Sequence, residues 1–139
     1  MPKLKIDFLN YTRHKISKAL VKRIAEKFWQ DFRIKANSLS VVIVGDQRMR
    51  RLNGLCFGQR RNTDVLAFEG EDKFLGEIIL CYPQIKRQAS RYKNSARQEF
   101  VFVLVHGLLH LIGYQDGTEE KRKTMHQLGA NFIKKHQLK

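Results

Sequence analysis

From Ser95 to Gly113 the chain reads SARQEFVFVLVHGLLHLIG, and this stretch limits the possible folds more than any other. Ser95 and Gln98 have the spacing of a capping box, in which each side chain accepts from the other residue's backbone N–H. Gly113 stands where a C′ glycine ends a helix. The helix between them, running to Ile112, is apolar on nearly every side, so it has to be central, with other elements packed around it. It falls short of the roughly 20 apolar residues needed to span a bilayer. The remaining residues must therefore supply a protein environment for a buried helix.

The rest of the 139-residue chain offers such partners. Lys3–Leu9 alternates, with Leu4, Ile6 and Phe8 on one face of a half-buried strand. Ile16, Leu20, Ile24, Phe28 and Phe32 recur every four residues, flanked by Val21, Ala25 and Trp29, and predict a long amphipathic helix. Its other face carries Lys15, Lys18, Lys22, Arg23 and Lys27. Leu39–Val44 is β-branched enough for a strand, ended by Gly45 and Asp46, with Asp46 as the cap of a short helix through Met49 and Leu52. Thr63–Phe68 and Leu75–Cys81 predict two strands joined by the turn EGEDK. Pro83 closes the second strand, and a basic helical segment, QIKRQASRYK, follows. A last helix is expected from about Thr118 to Lys135, with Glu119 and Glu120 at its positive end. With no internal repeat and no Pro/Ser-rich linker, these elements predict one α+β (or irregular α/β) domain. Its mixed sheet has about four strands covered by helices.

Composition adds a partner class. Lys and Arg number 27 against 13 Asp and Glu, a net charge of +14. The excess is uneven: +7 in residues 1–40, +1 in 41–75 and +6 in 76–139. Such an excess attracts polyanions through counterion release, which points to nucleic acid, although solvated lysine faces would give the same count. The start, MPKLKIDFLNYTRHK, lacks the apolar core of a signal peptide, and no membrane partner is expected, so the expected location is the cytoplasm. Cys56 and Cys81 form no close pair and are expected to be reduced core residues.

The central helix carries His106 and His110. At about 100° per residue, positions four apart lie about 40° apart on one face, one turn above the other. Both imidazoles can then reach one cation roughly 2 Å from each nitrogen. Past Gly113 the chain can turn back, and Asp116 is placed to complete three ligands, leaving a fourth position for water. The alternative is a satisfied pair of core histidines, with Asp116 and Thr118 as ordinary cap or turn residues. Two features favour the metal. Burying both imidazoles without partners is costly, and Gly107 costs about 1 kcal/mol inside a helix unless packing or access requires it. A glutamate base after the first histidine, as in HExxH peptidases, is absent, because Gly107 occupies that position.

HGLLHLIGY at His106–Tyr114 resembles the signature HGxLHLxGYDH of the YbeY endoribonucleases, the rRNA maturation factors. LNGLCFGQRRNTDVLAF at Leu52–Phe68 is similar to the family pattern LNxxYRGKDKPTDVLSFP, and GEIILC at Gly76–Cys81 to GDIxIC. The three blocks agree in order and spacing, so the resemblance spans most of the chain. Asp116 falls on the family's third histidine and Gln115 on its preceding aspartate. Phe57 falls on its arginine, to which the resemblance assigns a catalytic part. Gln59, Arg60 and Arg61 follow, Asn62 replaces the proline, and Glu77 replaces the aspartate of GDI. Carboxylate is a legitimate zinc ligand.

The resemblance implies a metal-dependent, single-strand-specific endoribonuclease in rRNA maturation and ribosome quality control, with rRNA precursors and the small ribosomal subunit as partners. The whole of residues 1–139 would form one such domain. Its cofactor would be one Zn²⁺ held by His106, His110 and Asp116, with water in the remaining position. Arg60 and Arg61 are expected to contact phosphates, and no residue stands out as general base. Thr63 and Asp64 are expected to be structural, beside the site. At least one of the basic segments, Lys15–Lys27 or Ile85–Lys93, is expected on RNA. Phe57, Tyr82, Tyr92 and Tyr114 are aromatics suited to stacking on bases. His14, His126 and His136 are expected on exposed polar helix faces without a role. The competing reading is a catalytically weakened RNA-binding ribosome-assembly factor, suggested by Phe57 and Asp116. Another metal-dependent hydrolase ranks third.

Overall fold

The computed structural model describes residues 3–138. Four strands, β1 (Lys5–Asn10), β2 (Ser38–Val44), β3 (Val65–Glu69) and β4 (Phe74–Cys81), make one mixed sheet in the order β1-β2-β4-β3. β1 and β4 both run parallel to β2, while β3 pairs antiparallel with β4. Five helices cover the sheet: α1 (Lys18–Asp31), α2 (Asp46–Phe57), α3 (Tyr82–Arg91), α4 (Ala96–Leu111) and α5 (Glu119–Lys135). The expected α+β architecture is the one observed.

Residue parity explains why β2 and β4 lack simple alternation. Val41, Ile43, Ile78 and Leu80 face α1, α3, α4 and α5, whereas Val42, Val44, Ile79 and Cys81 face Met49 of α2. Central strands covered on both faces read as continuous apolar runs. α4 lies deepest. Its N-terminus has both halves of the capping box: Ser95 Oγ accepts from Gln98 N–H (3.0 Å) and Gln98 Oε1 from Ser95 N–H (2.9 Å). Gly107 faces the sheet, where a Cβ would stand 3.1 Å from Ile78 Cγ2 and 3.2 Å from Val65 Cγ2. The reason for glycine is therefore close packing of α4 on β4 and β3. Phe28 of α1 stacks on Phe32 (ring centroids 4.4 Å apart) and meets Phe132 of α5 edge-on at 5.4 Å, which joins those helices over the core.

The local differences from the sequence expectations have physical causes. α1 begins at Lys18 because Ser17 Oγ accepts from Leu20 N–H, so Lys15 and Ile16 precede the helix. Asp46 is not a cap: Gly45 holds that position without a side-chain bond, and Asp46 is the first helical residue. Its carboxylate instead accepts two bonds from Arg87 (2.7 and 3.0 Å) and one from the Cys81 thiol (3.4 Å), because a forked cation is a stronger partner than a backbone amide. Pro83 does not separate strand from helix but lies in the first turn of α3, where its missing N–H costs nothing. Cys81 is buried, and burial raises its thiol pKa to about 11. Cys56 is exposed near the end of α2, contrary to its expected core position, because α2 buries only the Met49 and Asn53 side of its turns. No helix among the described residues is long and apolar enough to cross a membrane.

Candidate metal centre

At the end of α4 the chain reverses through a left-handed turn at Gly113 (φ 106°). Gly113 N–H donates to the His110 carbonyl (3.0 Å) and Tyr114 N–H to the Leu109 carbonyl (3.1 Å), the paired bonds of a Schellman turn. Only glycine adopts this conformation cheaply, and the reversal carries Asp116 back over the two histidines. His106 Nε2 lies 3.1 Å from His110 Nε2 and 3.2 Å from Asp116 Oδ2, and the third side, His110 Nε2 to Asp116 Oδ2, is 3.4 Å. Donors about 2.05 Å from a tetrahedral zinc ion are separated by about 3.3 Å, so the triangle matches one face of that polyhedron. The three residues form a group able to hold a metal ion.

The surrounding contacts favour ligation. His110 Nδ1 is 3.1 Å from the Tyr114 carbonyl and donates its proton there, which leaves the Nε2 lone pair directed at the triangle. His106 is half-buried, and burial together with the neighbouring His110 holds its pKa below the usual histidine value against the opposing pull of Asp116 and Asp64. Burial raises the Asp116 carboxyl, but the His106 hydrogen bond and the charges of both histidines outweigh it and lower the pKa. A neutral His106 imidazole beside an ionised Asp116 carboxylate suits a divalent cation, which binds deprotonated ligands.

The triangle opens into a cleft of about 1220 Å³. Of the expected aromatics, Phe57, Tyr92 and Tyr114 line it, whereas Tyr82 packs between His14 and Phe100 away from it. Thr63 and Asp64 line it as well. The Asp64 carbonyl accepts from Cys81 N–H (2.9 Å), which seats the start of β3 against β4. Arg60 and Arg61 sit exposed in the loop between α2 and β3; Arg60 lays its aliphatic stem over Gly54, and neither lines the cleft.

Several cleft residues escaped the sequence reading. Buried Glu99 accepts from Gln88 Nε2 (3.2 Å) and Asn94 Nδ2 (3.2 Å), and Gln88 Nε2 also donates to Asp64 (3.1 Å). Its signal was present, an acid inside the apolar run EFVFV, but a first-turn position explains an acid equally well. Arg122 and His126 reach the cleft from α5, and His126 lies 5.3 Å from Phe102 and 6.0 Å from His106, centroid to centroid. His126 thus has a place in the site despite its exposed helix position. His136 is not exposed: its side chain is 13% accessible and bonded to Asp31 at 2.8 Å. His14 precedes α1 in a loop, half-buried on Tyr82.

A family model described as Endoribonuclease YbeY matches residues 6–137. Proteins of that name are similar along most of their length. The one from Phytoplasma australiense is 34% identical over a 143-residue alignment covering 95% of each chain. The one from Sulfurihydrogenibium is 33% identical over 127 residues, covering 86% of this chain and 84% of its own. A protein of Thermotoga maritima, solved in solution, superposes with a TM-score of 0.63 at 25% identity, over 95% of this chain and 91% of that one.

Proposed function

The chain belongs to the YbeY endoribonuclease family, and from that premise we propose that it is a metal-dependent endoribonuclease cutting single-stranded RNA. Its substrates would be rRNA precursors on the small ribosomal subunit, in rRNA maturation and ribosome quality control in the cytoplasm. Residues 1–139 would work as one domain. The observation that carries this reading is the triangle of His106, His110 and Asp116 on the wall of a cleft of about 1220 Å³.

The donor set fits zinc: two imidazoles and one carboxylate, with edges of 3.1 to 3.4 Å. A divalent ion there would supply positive charge against the phosphodiester oxygens as the bond is cut. The chain's own residues do the rest. The Tyr114 carbonyl orients His110, and the Gln88 amide links Asp64 and Glu99, all three of which line the cleft. Tyr92 and Phe57 offer exposed ring faces to unstacked bases, and Phe57 is braced by Phe68 at 6.1 Å. Arg60 and Arg61 are assigned to phosphates of the strand beyond the rim. Of the two basic segments, Ile85–Lys93 adjoins the cleft through Gln88 and Tyr92, and is the better placed to track RNA.

The test compares wild type and His106→Ala on single-stranded RNA, with metal content measured on the same samples. Metal-dependent cleavage that falls about 100-fold or more with the loss of the ion is the expected result. Phe57, which brings no charge to the cleft, favours one second reading, an assembly factor that binds RNA without cutting it. Tight binding with no cleavage by the metal-loaded protein would select that reading.

A further inference from the structure

We propose that Arg122 grips a phosphate of the bound strand beside the metal triad, an inference that rests on the endoribonuclease reading above. The cleft is acidic within a strongly basic protein. Asp64, Glu69, Glu99 and Asp116 all line it, and among the described residues Arg122 is the one lysine or arginine that does. A divalent ion offsets two of those four carboxylates, and an incoming phosphodiester adds another negative charge. Without a side-chain cation inside the cleft beside that ion, the chain's excess charge draws RNA to the surface but not to the triangle.

Arg122 is free to serve. Other arginines near the sheet are committed: Arg87 to Asp46, Arg50 to Asn62 (3.1 Å), Arg48 to the face of Tyr11 (4.1 Å). The Arg122 guanidinium makes no ion pair or hydrogen bond with another described residue. Its backbone is fixed, since its N–H donates to the Thr118 carbonyl (2.9 Å) and α5 is anchored by buried Met125 and Phe132. Thr118 in turn caps α5 two residues after Asp116, so the arginine and the third ligand are held by the same turn. One helical turn beyond Arg122, His126 faces the same cleft and packs on Phe102, which directs this face of α5 toward the triad. A guanidinium presents a planar fork matched to two phosphate oxygens and remains charged at every relevant pH.

The test uses metal-loaded full-length wild type, Arg122→Ala and Arg122→Lys. A single-stranded 2′-O-methyl oligoribonucleotide reports binding across a salt series, and unmodified RNA reports cleavage. Arg122→Ala is expected to bind about tenfold more weakly. Its slope of log K against log salt should shrink by about 0.7, the signature of one lost phosphate contact on a single strand. Its kcat/KM should fall at least as far with metal content unchanged, and Arg122→Lys should recover part of the affinity. Binding and salt slope within twofold of wild type would overturn the proposal. So would loss of the metal together with the affinity, which would make Arg122 a support of the triad instead. Should wild type bind but not cut, the nuclease reading fails while the binding comparison still decides Arg122. If wild type binds no strand, both fall.

Discussion

Histidine meets aspartate twice in this protein, with opposite consequences. Where α5 ends against α1, His136 Nε2 lies 2.8 Å from Asp31 Oδ2 and Lys135 lies 3.2 Å from Oδ1. Asp31 is the last residue of α1, at the negative end of that helix, and the side chains of His136 and Lys135 meet its carboxylate there. Burial raises the Asp31 carboxyl, but the bonds from His136 and Lys135 outweigh it, so its pKa is lowered. At the end of α4, by contrast, two imidazoles face one another across 3.1 Å, and a single carboxylate approaches both. Burial and the neighbouring His110 lower the His106 pKa, which favours its neutral form and leaves a lone pair there. An imidazole beside a carboxylate closes a contact between two helices in one place and belongs to a group able to hold a metal ion in the other. The number of converging lone pairs makes the difference.

The largest expected effect separates the two regions outright. Asp116→Ala should weaken metal binding about 100-fold or more, whereas His136→Ala should leave it unchanged, read by elemental analysis and calorimetric titration. Asp116→His should keep the ion, because a third imidazole is an equally good ligand and is the residue of the family pattern. Equal metal loss in His136→Ala and Asp116→Ala would end the distinction.

Next comes the platform beneath the triad. Gly107→Val places methyls against Ile78 and Val65, whose side chains already stand 3.1 and 3.2 Å from a Cβ position. Overpacking of this kind costs about 1–3 kcal/mol, seen as a lower denaturation midpoint. It should also weaken metal binding, since His106 adjoins Gly107.

Acid should dismantle the regions in a fixed order. Burial and the neighbouring His110 lower the His106 pKa below the ordinary histidine value of about 6.5, so loss of this ligand to a proton is expected only beneath that value. In the metal-free protein the same depressed pKa makes the unfolded chain the better proton binder below about 6.5. Stability therefore falls from there as pH drops toward the folded pKa and then levels off. The contribution of Asp31 has the carboxylate sign: it is complete above about 3.9 and lost only as pH falls through its lower folded value. Metal release should precede any loss of the α1–α5 contact, as followed by metal content and by exchange of backbone amides near His136. The smallest effect is Asp31→Asn, about 1 kcal/mol or less, because such partly exposed pairs contribute little.

Most of the triad was legible in the sequence because it is local. His106 and His110 are one turn apart, and the paired turn bonds at Gly113 and Tyr114 bring Asp116 back within six residues of His110. The close packing that requires Gly107 was legible as a demand for a reason, though not as contact with Ile78 and Val65. Glu99, Gln88 and Asp64 were not read as neighbours, since they lie on α4, on α3 and before β3, and only packing of those elements on β4 joins them. Asp46 was misread for a related reason: a local rule favours Asp as a cap, but Arg87, 41 residues away, offers the better partner.

The sequence by itself determined the buried helix, its two ends, the paired imidazoles and the acid beyond them, because caps, helical period and short turns act over a few residues. The tertiary structure alone decided what surrounds them. The acidic lining of the cleft, the exposed position of Cys56, the distance of Arg60 and Arg61 from the cleft, and the presence of Arg122 inside it depend on which helix faces pack together. That choice is made by burial of apolar area, which is non-directional and leaves no spacing for the polar residues it brings into contact.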